Sequence, residues 1–216
     1  MQKFWIEGDF IRKLWDVETD AYRDPLLRLD AESRRHRFSG SIADEAIRGF
    51  AATARGPDIV VHGFFVGGVL RGAADLHIVR PLDLREAEAA FSIEKSWQSR
   101  GVGTALLERT LLCARNRGVK HVQVSCLPQN NRMQRLARKF EATFSFDYDT
   151  IIGIMANPLP TPLSVMQEML TDGQSFGAAY VDFQSRVLRP AGSRYADFVP
   201  ERATSSVAVR NPGRSD

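Results

Sequence analysis

Cysteine, lysine and long apolar runs are all scarce in this sequence. Two cysteines, Cys113 and Cys126, are the whole complement among 216 residues. They are too few for a four-ligand zinc site, and their separation fits no paired-cysteine spacing. Both read as small buried residues, and no metal is expected. The longest apolar stretch, Gly63–Leu70, falls far short of the roughly 18 residues a membrane span needs, so no membrane association is expected. Glu7 and Asp9 stand where a signal peptide requires its apolar region; export by that route is therefore not expected, and the cytoplasm is the expected location. The positive charge is almost all arginine, and the net charge is only +3. Arginine suits phosphate or carboxylate, but without aromatic interleaving or a recognisable motif a nucleic-acid partner is not expected.

What is present reads as a folded chain of mixed class. Residues 1–56 look helical and amphipathic, interrupted at Pro25 and Gly40, and Ser41-Ile-Ala-Asp44 resembles a capping box with Ile42, Ala46, Phe50 and Ala54 on one face of a helix over about 42–54. Two strands, Ile59–Val66 and Val69–Val79, flank Gly67-Gly68, a dipeptide suited to a tight hairpin, and a third runs from Glu86 to Ile93. A helix from about Val102 ends at Gly118. Val119–Leu127 is rich in strand formers, Asn130-Asn131 can cap a helix reaching about Glu141, and Thr143–Met155 divides into two strands at Asp147-Tyr148-Asp149. Strand, glycine loop, helix and strand make a βαβ unit, so the expected class is α/β (α+β): a mixed, mostly antiparallel sheet flanked by helices.

Asn157-Pro-Leu-Pro-Thr-Pro162 marks the end of that core. The expected division is 1–156 as the main domain, 157–188 as a helical extension and 189–216 as a tail. Within the extension, Val165, Met169 and Leu170, then Phe176, Ala179, Tyr180, Phe183 and Val187, form two apolar stripes that must bury against the core or against a second subunit, making a homodimer through 163–188 one expected assembly.

The most informative stretch is Gln98-Ser99-Arg100-Gly101-Val102-Gly103-Thr104. Glycines there allow close backbone approach, and a helix beginning at the same point aims unpaired N–H groups and a positive dipole end at one spot, which favours a phosphate. A dinucleotide site would need a third glycine at Leu106 and an acid near His121, and a P-loop would need Gly-Lys-Ser/Thr; neither is present.

The order hairpin, third strand, Gln98-x-Arg100-Gly101-x-Gly103, long helix, strand, then Asn131 followed by Met133, Leu136 and Ala137 resembles the GNAT (acetyl-CoA-dependent N-acetyltransferase) superfamily of bacterial type, over about residues 58–155. Leu29-Asp-Ala-Glu-Ser33-Arg34 with Arg37-Phe38 resembles a segment in the GNAT domains of some bacterial protein acetyltransferases. The resemblance implies an acetyl-CoA site: Gln98, Ser99, Arg100, Gly101, Val102, Gly103 and Thr104 around the pyrophosphate, Ile93 beside the pantetheine and thioester, and Asn131 as a further cofactor contact. It implies splayed strands whose freed backbone groups pair with the pantetheine arm and a freed N–H near Ile93 for the developing oxyanion. Arg132, Arg135 and Arg138 read either as contacts to the adenosine phosphate or as a solvated helix face.

An ammonium acceptor must lose a proton before attack. The resemblance implies a glutamate on the third core strand in that role, and Glu88, alternating with Ala90 and Ser92, is the choice; Glu86 is nearer the strand start and Glu94 reads as solvated. The tyrosine that many members carry as the acid falls at Ala137 here, leaving Tyr148, Ser125 or Cys126 as substitutes, or unassisted thiolate departure. His62 and His77, on the hairpin strands, read as structural or exposed histidines or else as substrate-site residues. The expected partners are acetyl-CoA and a primary amine, on a small molecule or a protein lysine or N-terminus; the competing expectation is a non-catalytic CoA sensor or scaffold.

Overall fold

A computed structural model of the chain describes residues 9–54, 56–79 and 86–173. Strands form where β-branched and apolar residues crowd or alternate: β1 (Phe10–Lys13), β2 (Ile59–Val66), β3 (Val69–Val79), β4 (Glu86–Ile93), β5 (His121–Cys126), β6 (Thr143–Asp147) and β7 (Thr150–Ala156). They make one sheet in the order β1-β2-β3-β4-β5-β7-β6. Every neighbouring pair is antiparallel except β4 and β5. The parallel pair needs a crossover, which α4 (Val102–Asn116) supplies. Gly67 and Gly68, at φ of 53° and 77°, make the β2–β3 turn that the dipeptide suggests.

Helices α1 (Thr19–Arg28), α2 (Ala31–Phe38) and α3 (Asp44–Thr53) cover the first half of the sheet on one face. There Tyr22, Leu26, Ile47 and Ala51 pack on Val61, Phe65 and Ala73. On the other face Val102, Ala105 and Leu106 of α4 meet Phe64 and Ala74. Leu107 and Ala137, the latter on α5 (Asn131–Lys139), join Leu76, Ala87, Ala89, Val122 and Val124 in the largest core cluster. Strand residues i and i+2 share a face, so Ala73, Asp75 and His77 of β3 lie under the N-terminal helices while Ala74 and Leu76 meet α4. Both cysteines are buried and free, and burial pushes the Cys113 thiol up to about 12.

The N-terminal third departs from the sequence reading. Phe10–Lys13 is a strand, paired with His62–Phe65, and four residues are too few to show a period. Pro25 lies inside α1; the chain breaks instead at Leu29–Asp30, where the Asp30 carboxylate accepts the Ser33 N–H at 2.8 Å and caps α2. The capping box at Ser41 does not form. Ala43 is the N-cap of α3 without a side-chain bond, and Asp44 instead accepts from Arg34 at 2.6 Å. The buried face of α3 carries Ile47 and Ala51, with Ile42, Phe50 and Ala54 at its margin.

After β7, residues 162–173 form a helix held to the end of α4 by polar contacts. Asn116 donates to the Ser164 carbonyl at 2.9 Å and to Glu168 at 2.7 Å, and Arg117 pairs with Glu168 at 2.8 Å. Leu163, Met166, Met169 and Leu170 are exposed among the described residues. The stripe expected over 176–188 and the tail over 189–216 lie outside the described residues. No helix among the described residues is long and apolar enough to cross a membrane.

Candidate active site

Strands β4 and β5 pair only at Glu86–His121, Ala87–Val122 and Glu88–Gln123, although β4 continues to Ile93 and β5 to Cys126. Beyond Glu88 they part. On its other edge β4 stays fully paired with β3 through Ile93–Gly72, and the Glu94 N–H donates to the Arg71 carbonyl at 3.0 Å. That bond sets the alternation: even-numbered amides of β4 face β3, and those of Phe91 and Ile93 point into the gap. The splay therefore frees backbone donors at two residues.

The gap leads into a cleft of about 520 Å³ lined by Ile93, Phe91, Ser92, the glycine loop and α5. A 3₁₀ turn over Lys95–Trp97 brings the chain from β4 to the loop. Ser99 and Gly101 both take positive φ, 59° and 84°, and Gly101 is the N-cap of α4. This double reversal turns the first N–H groups of α4 toward the cleft, where no side chain caps them. Gly103 keeps the wall open, since a Cβ there would stand 3.3 Å from Leu136 and 3.5 Å from Ile93.

Gln98 holds the parts in place. Its amide nitrogen donates to the Ile93 carbonyl at 2.8 Å and to Ser33 Oγ at 3.1 Å, and its carbonyl oxygen accepts from Arg132 at 2.6 Å. One side chain thus ties β4, α2 and α5 together around the cleft.

Of the residues expected to hold a cofactor, Ile93, Gln98, Ser99, Gly101, Gly103 and Thr104 line the cleft. Val102 is buried in the core, so only its backbone faces the loop. Arg100 lies over the Trp97 ring at 5.2 Å. The asparagine on the cleft wall is Asn130, not Asn131. Asn130 is the N-cap of α5 and accepts the Met133 N–H at 3.1 Å, whereas Asn131 begins the helix and is exposed. Arg132 and Arg135 line the cleft together with Lys139, which the sequence reading missed although it falls one helical repeat further on. Arg138 turns away onto Phe144 at 5.3 Å.

Glu88 is half-buried on the face covered by the N-terminal helices, directly across from His77. Glu94, read as solvated, is instead largely buried in ion pairs with Arg28 at 2.7 Å and Arg71 at 3.2 Å. Beside the Glu88–His77 pair sits a polar cluster that the sequence reading missed. Asp75 is fully buried and accepts from Tyr22 at 2.8 Å, from Arg37 at 2.8 and 3.0 Å, and from His77 Nε2 at 3.1 Å. Burial alone would raise the Asp75 carboxyl, but Arg37 and His77 bring it below its ordinary range. Burial, with Asp75 next to it, pushes the Tyr22 hydroxyl up, so it remains a donor.

None of the substitutes for the missing acid lines the cleft. Tyr148 is fully exposed in the β6–β7 turn, Ser125 is exposed on the parted end of β5, and Cys126 is buried with its thiol pushed up by burial. Ala137 is sealed in the core, its Cβ within 3.5 Å of where one on Gly153 would stand. No group of three or more potential metal ligands occurs among the described residues.

The arrangement suits a ligand with a phosphate at one end and an amide-bearing chain at the other. The Ser92 hydroxyl supports this fit: it is buried in the cleft wall and has no hydrogen-bond partner among the described residues. The family model described as "Acetyltransferase (GNAT) family" matches residues 10–141. No curated protein matches the chain. Solved structures share the fold at low identity. The GNAT domain of S. lividans PAT is 22% identical, covering 68% of this chain and 89% of that one at a TM-score of 0.59. The ribosomal-protein-S18-alanine N-acetyltransferase from Escherichia coli is 19% identical, with coverages of 71% and 97% and a TM-score of 0.55. PaiA N-acetyltransferase from Thermoplasma acidophilum, in complex with coenzyme A, is 18% identical, with coverages of 68% and 98% and a TM-score of 0.53.

Proposed function

The chain belongs to the GNAT acetyltransferase family, and from that premise we propose that it transfers the acetyl group of acetyl-CoA to a primary amine on a small molecule or on a protein lysine or N-terminus. The observation that carries the reading is the parting of β4 and β5 beyond Glu88 and Gln123, which leaves the Phe91 and Ile93 amides facing a cleft closed by a helix N-terminus. In this reading the α4 N-terminal amides and Thr104 hold the pyrophosphate. Arg132, Arg135 and Lys139 face the remaining phosphate, and Asn130 lies beside the pantetheine. Acetyl-CoA supplies an activated thioester as cosubstrate.

The chain's own groups then divide the chemistry. The Phe91 and Ile93 N–H groups are oriented before the reaction and donate to negative charge growing on the carbonyl oxygen, a contribution that dry, fixed dipoles make at little reorganisation cost. Glu88 accepts a proton from the acceptor ammonium, directly or through one water, since only the neutral amine attacks. With no side chain at Ala137 to act as acid, the thiolate leaves unassisted; a thiol pKa near 8.5 makes that departure tolerable.

A second reading, a CoA-binding sensor or scaffold without turnover, is favoured by one observation: Ala137 and its surroundings leave no room for the acid that many family members use. Thiol release from acetyl-CoA against a panel of aminoglycosides, polyamines, amino acids and lysine peptides separates the two. Amine-dependent release supports transfer. Tight acetyl-CoA binding with release no faster than in buffer, for every amine, supports the sensor.

A further inference from the structure

We propose that His77, held by the buried Asp75, is a second proton acceptor for the acetyl transfer, taking the acceptor's proton beside Glu88. The inference rests on the acetyltransferase reading and extends it to a histidine that the sequence alone leaves open between a structural or exposed role and a substrate-site one.

The geometry begins at Asp75. An ionised carboxylate only accepts, so the 3.1 Å contact to His77 Nε2 places a proton on that nitrogen. Neutral His77 is then the Nε2–H tautomer with its lone pair on Nδ1, a disposition that a buried carboxylate imposes on a histidine base. Asp75 is itself fixed by Arg37 and Tyr22, so the imidazole is anchored through three elements of the N-terminal half. Its other side stays open: the His77 side chain is 36% exposed while Asp75 is 1% exposed.

His77 and Glu88 are cross-strand partners. Because the β3 and β4 amides alternate as described above, this is a hydrogen-bonded pair, with Cα atoms about 5.5 Å apart and both side chains on one face. The same face of β4 continues through Ala90 to Ser92 on the cleft wall, a two-residue step of about 7 Å at a time. Glu88 and His77 do not line the cleft themselves; in the proposal the acceptor amine comes to the thioester along this face of β4, past the pair. The charged groups that act on His77 are Asp75 on its own strand, Arg37 from α2 and Glu88 across on β4, with Tyr22 of α1 behind Asp75. The bond to Asp75 raises the His77 pKa, with Glu88 adding to it, against burial and Arg37.

The step balances without another reactant. An N–H bond of the ammonium breaks, its electron pair stays on nitrogen as the nucleophile, and the proton passes by Glu88 to His77 Nδ1. The imidazolium is stabilised by Asp75 and Glu88 until it gives the proton to solvent. The amine's electron pair forms the C–N bond, the C–S bond breaks with its pair on sulfur, and a second amine proton ends on the thiolate.

Two measurements on the full chain test this. In the first, long-range ¹⁵N–¹H NMR of the free protein should show neutral His77 protonated on Nε2, with a titration midpoint that moves down in Glu88→Gln. An Nδ1–H tautomer, or a midpoint indifferent to Glu88→Gln, overturns the proposal. In the second, His77→Gln keeps a donor to Asp75 but cannot take the proton. Amine-dependent thiol release should fall roughly 100-fold near neutral pH, and the deficit should shrink at high pH while acetyl-CoA affinity stays the same. A wild-type pH profile in His77→Gln, or a loss equal at every pH, overturns the base role and leaves the acetyltransferase reading standing. Wild-type protein that transfers to no amine overturns that reading, and the base role with it.

Discussion

The amide nitrogen of Gln98 donates a 2.8 Å hydrogen bond to the carbonyl oxygen of Ile93. That carbonyl lies on the parted edge of β4, where no neighbouring strand reaches it, so a side chain supplies the partner that the sheet does not. The same amide group binds α2 and α5. Ordering of the cleft is thereby concentrated in one residue.

Gln98→Ala should therefore weaken acetyl-CoA binding more than it weakens the fold. Loss of a buried carbonyl's donor costs about 1–3 kcal/mol. We expect a melting temperature lowered by a few degrees and an acetyl-CoA Kd raised roughly tenfold or more, measured by calorimetry. Equal affinity in the folded variant would show that the Gln98 tie does not shape the site.

Gly101→Val should act through the backbone alone. Gly101 sits at φ +84° with nothing within 4 Å of where a Cβ would stand, so the penalty is the left-handed conformation itself, about 1–2 kcal/mol. Relief of that strain would re-aim the first amides of α4, and acetyl-CoA binding should be lost while circular dichroism stays nearly the same. Gly103→Val tests a different cause: its φ is ordinary, and the added methyls enter the cleft against Leu136 and Ile93. A double variant that folds and binds acetyl-CoA normally would contradict the placement of the pyrophosphate.

The Arg37–Asp75 pair should be among the costliest to break. Both side chains are more than nine-tenths buried, so Arg37→Met leaves a buried carboxylate with only Tyr22 and His77 to bond it and should cost about 3 kcal/mol in urea unfolding. Arg37→Met with Asp75→Asn should cost less than the two single changes added. Asp75 also titrates with a definite sign. Its folded pKa lies below its ordinary value, so its stabilisation is present above the unfolded carboxylate pKa and is lost as the pH falls through the folded one.

His62 should produce a dependence of the same sign, at milder pH. It is buried against α4, and desolvation, helped by Arg109, Arg117 and Lys13, lowers its pKa from 6.5 to about 3. Between those values the unfolded chain binds a proton that the folded one refuses, so stability falls as the pH drops below 6.5. The loss at about pH 5 is on the order of 2 kcal/mol. His62→Gln should flatten that part of the stability profile whatever it does to stability at neutral pH. An unchanged slope would mean that His62 is protonated in the folded state.

These positions also show what the sequence carries and what it does not. The hairpin, the crossover helix and the glycine loop are legible because their signals are local: Gly67-Gly68 takes positive φ, and Gly101 opens the helix that follows β4 and its turn. The N-cap of α5 is legible only to within one residue. Asn130 and Asn131 are chemically alike, and the choice between them depends on the path of the chain out of β5. The strand Phe10–Lys13 is hidden because its partner is some 50 residues away and its own four residues have no period. Least legible is the Tyr22–Arg37–Asp75–His77 cluster. Arg37 in the polar stretch of α2 reads as surface and Asp75 is a lone acid in an apolar strand; only the packing of α1 and α2 on β3 brings them together. The exposed apolar residues of 162–173 form a stripe with no cover among the described residues.

The account stands most directly on the direction of the β4 amides, which amide hydrogen exchange reads residue by residue. In the free protein, Ala90 and Ser92 should be protected by β3, whereas Phe91 and Ile93, facing the gap, should exchange faster. Saturating acetyl-CoA should slow Phe91 and Ile93 strongly and leave the even-numbered amides nearly unchanged, because the bound pantetheine arm takes the place of the missing strand. If acetyl-CoA binds but Phe91 and Ile93 exchange as before, or if the new protection falls elsewhere in the molecule, the cosubstrate does not lie between β4 and β5 and the proposed active site is wrong.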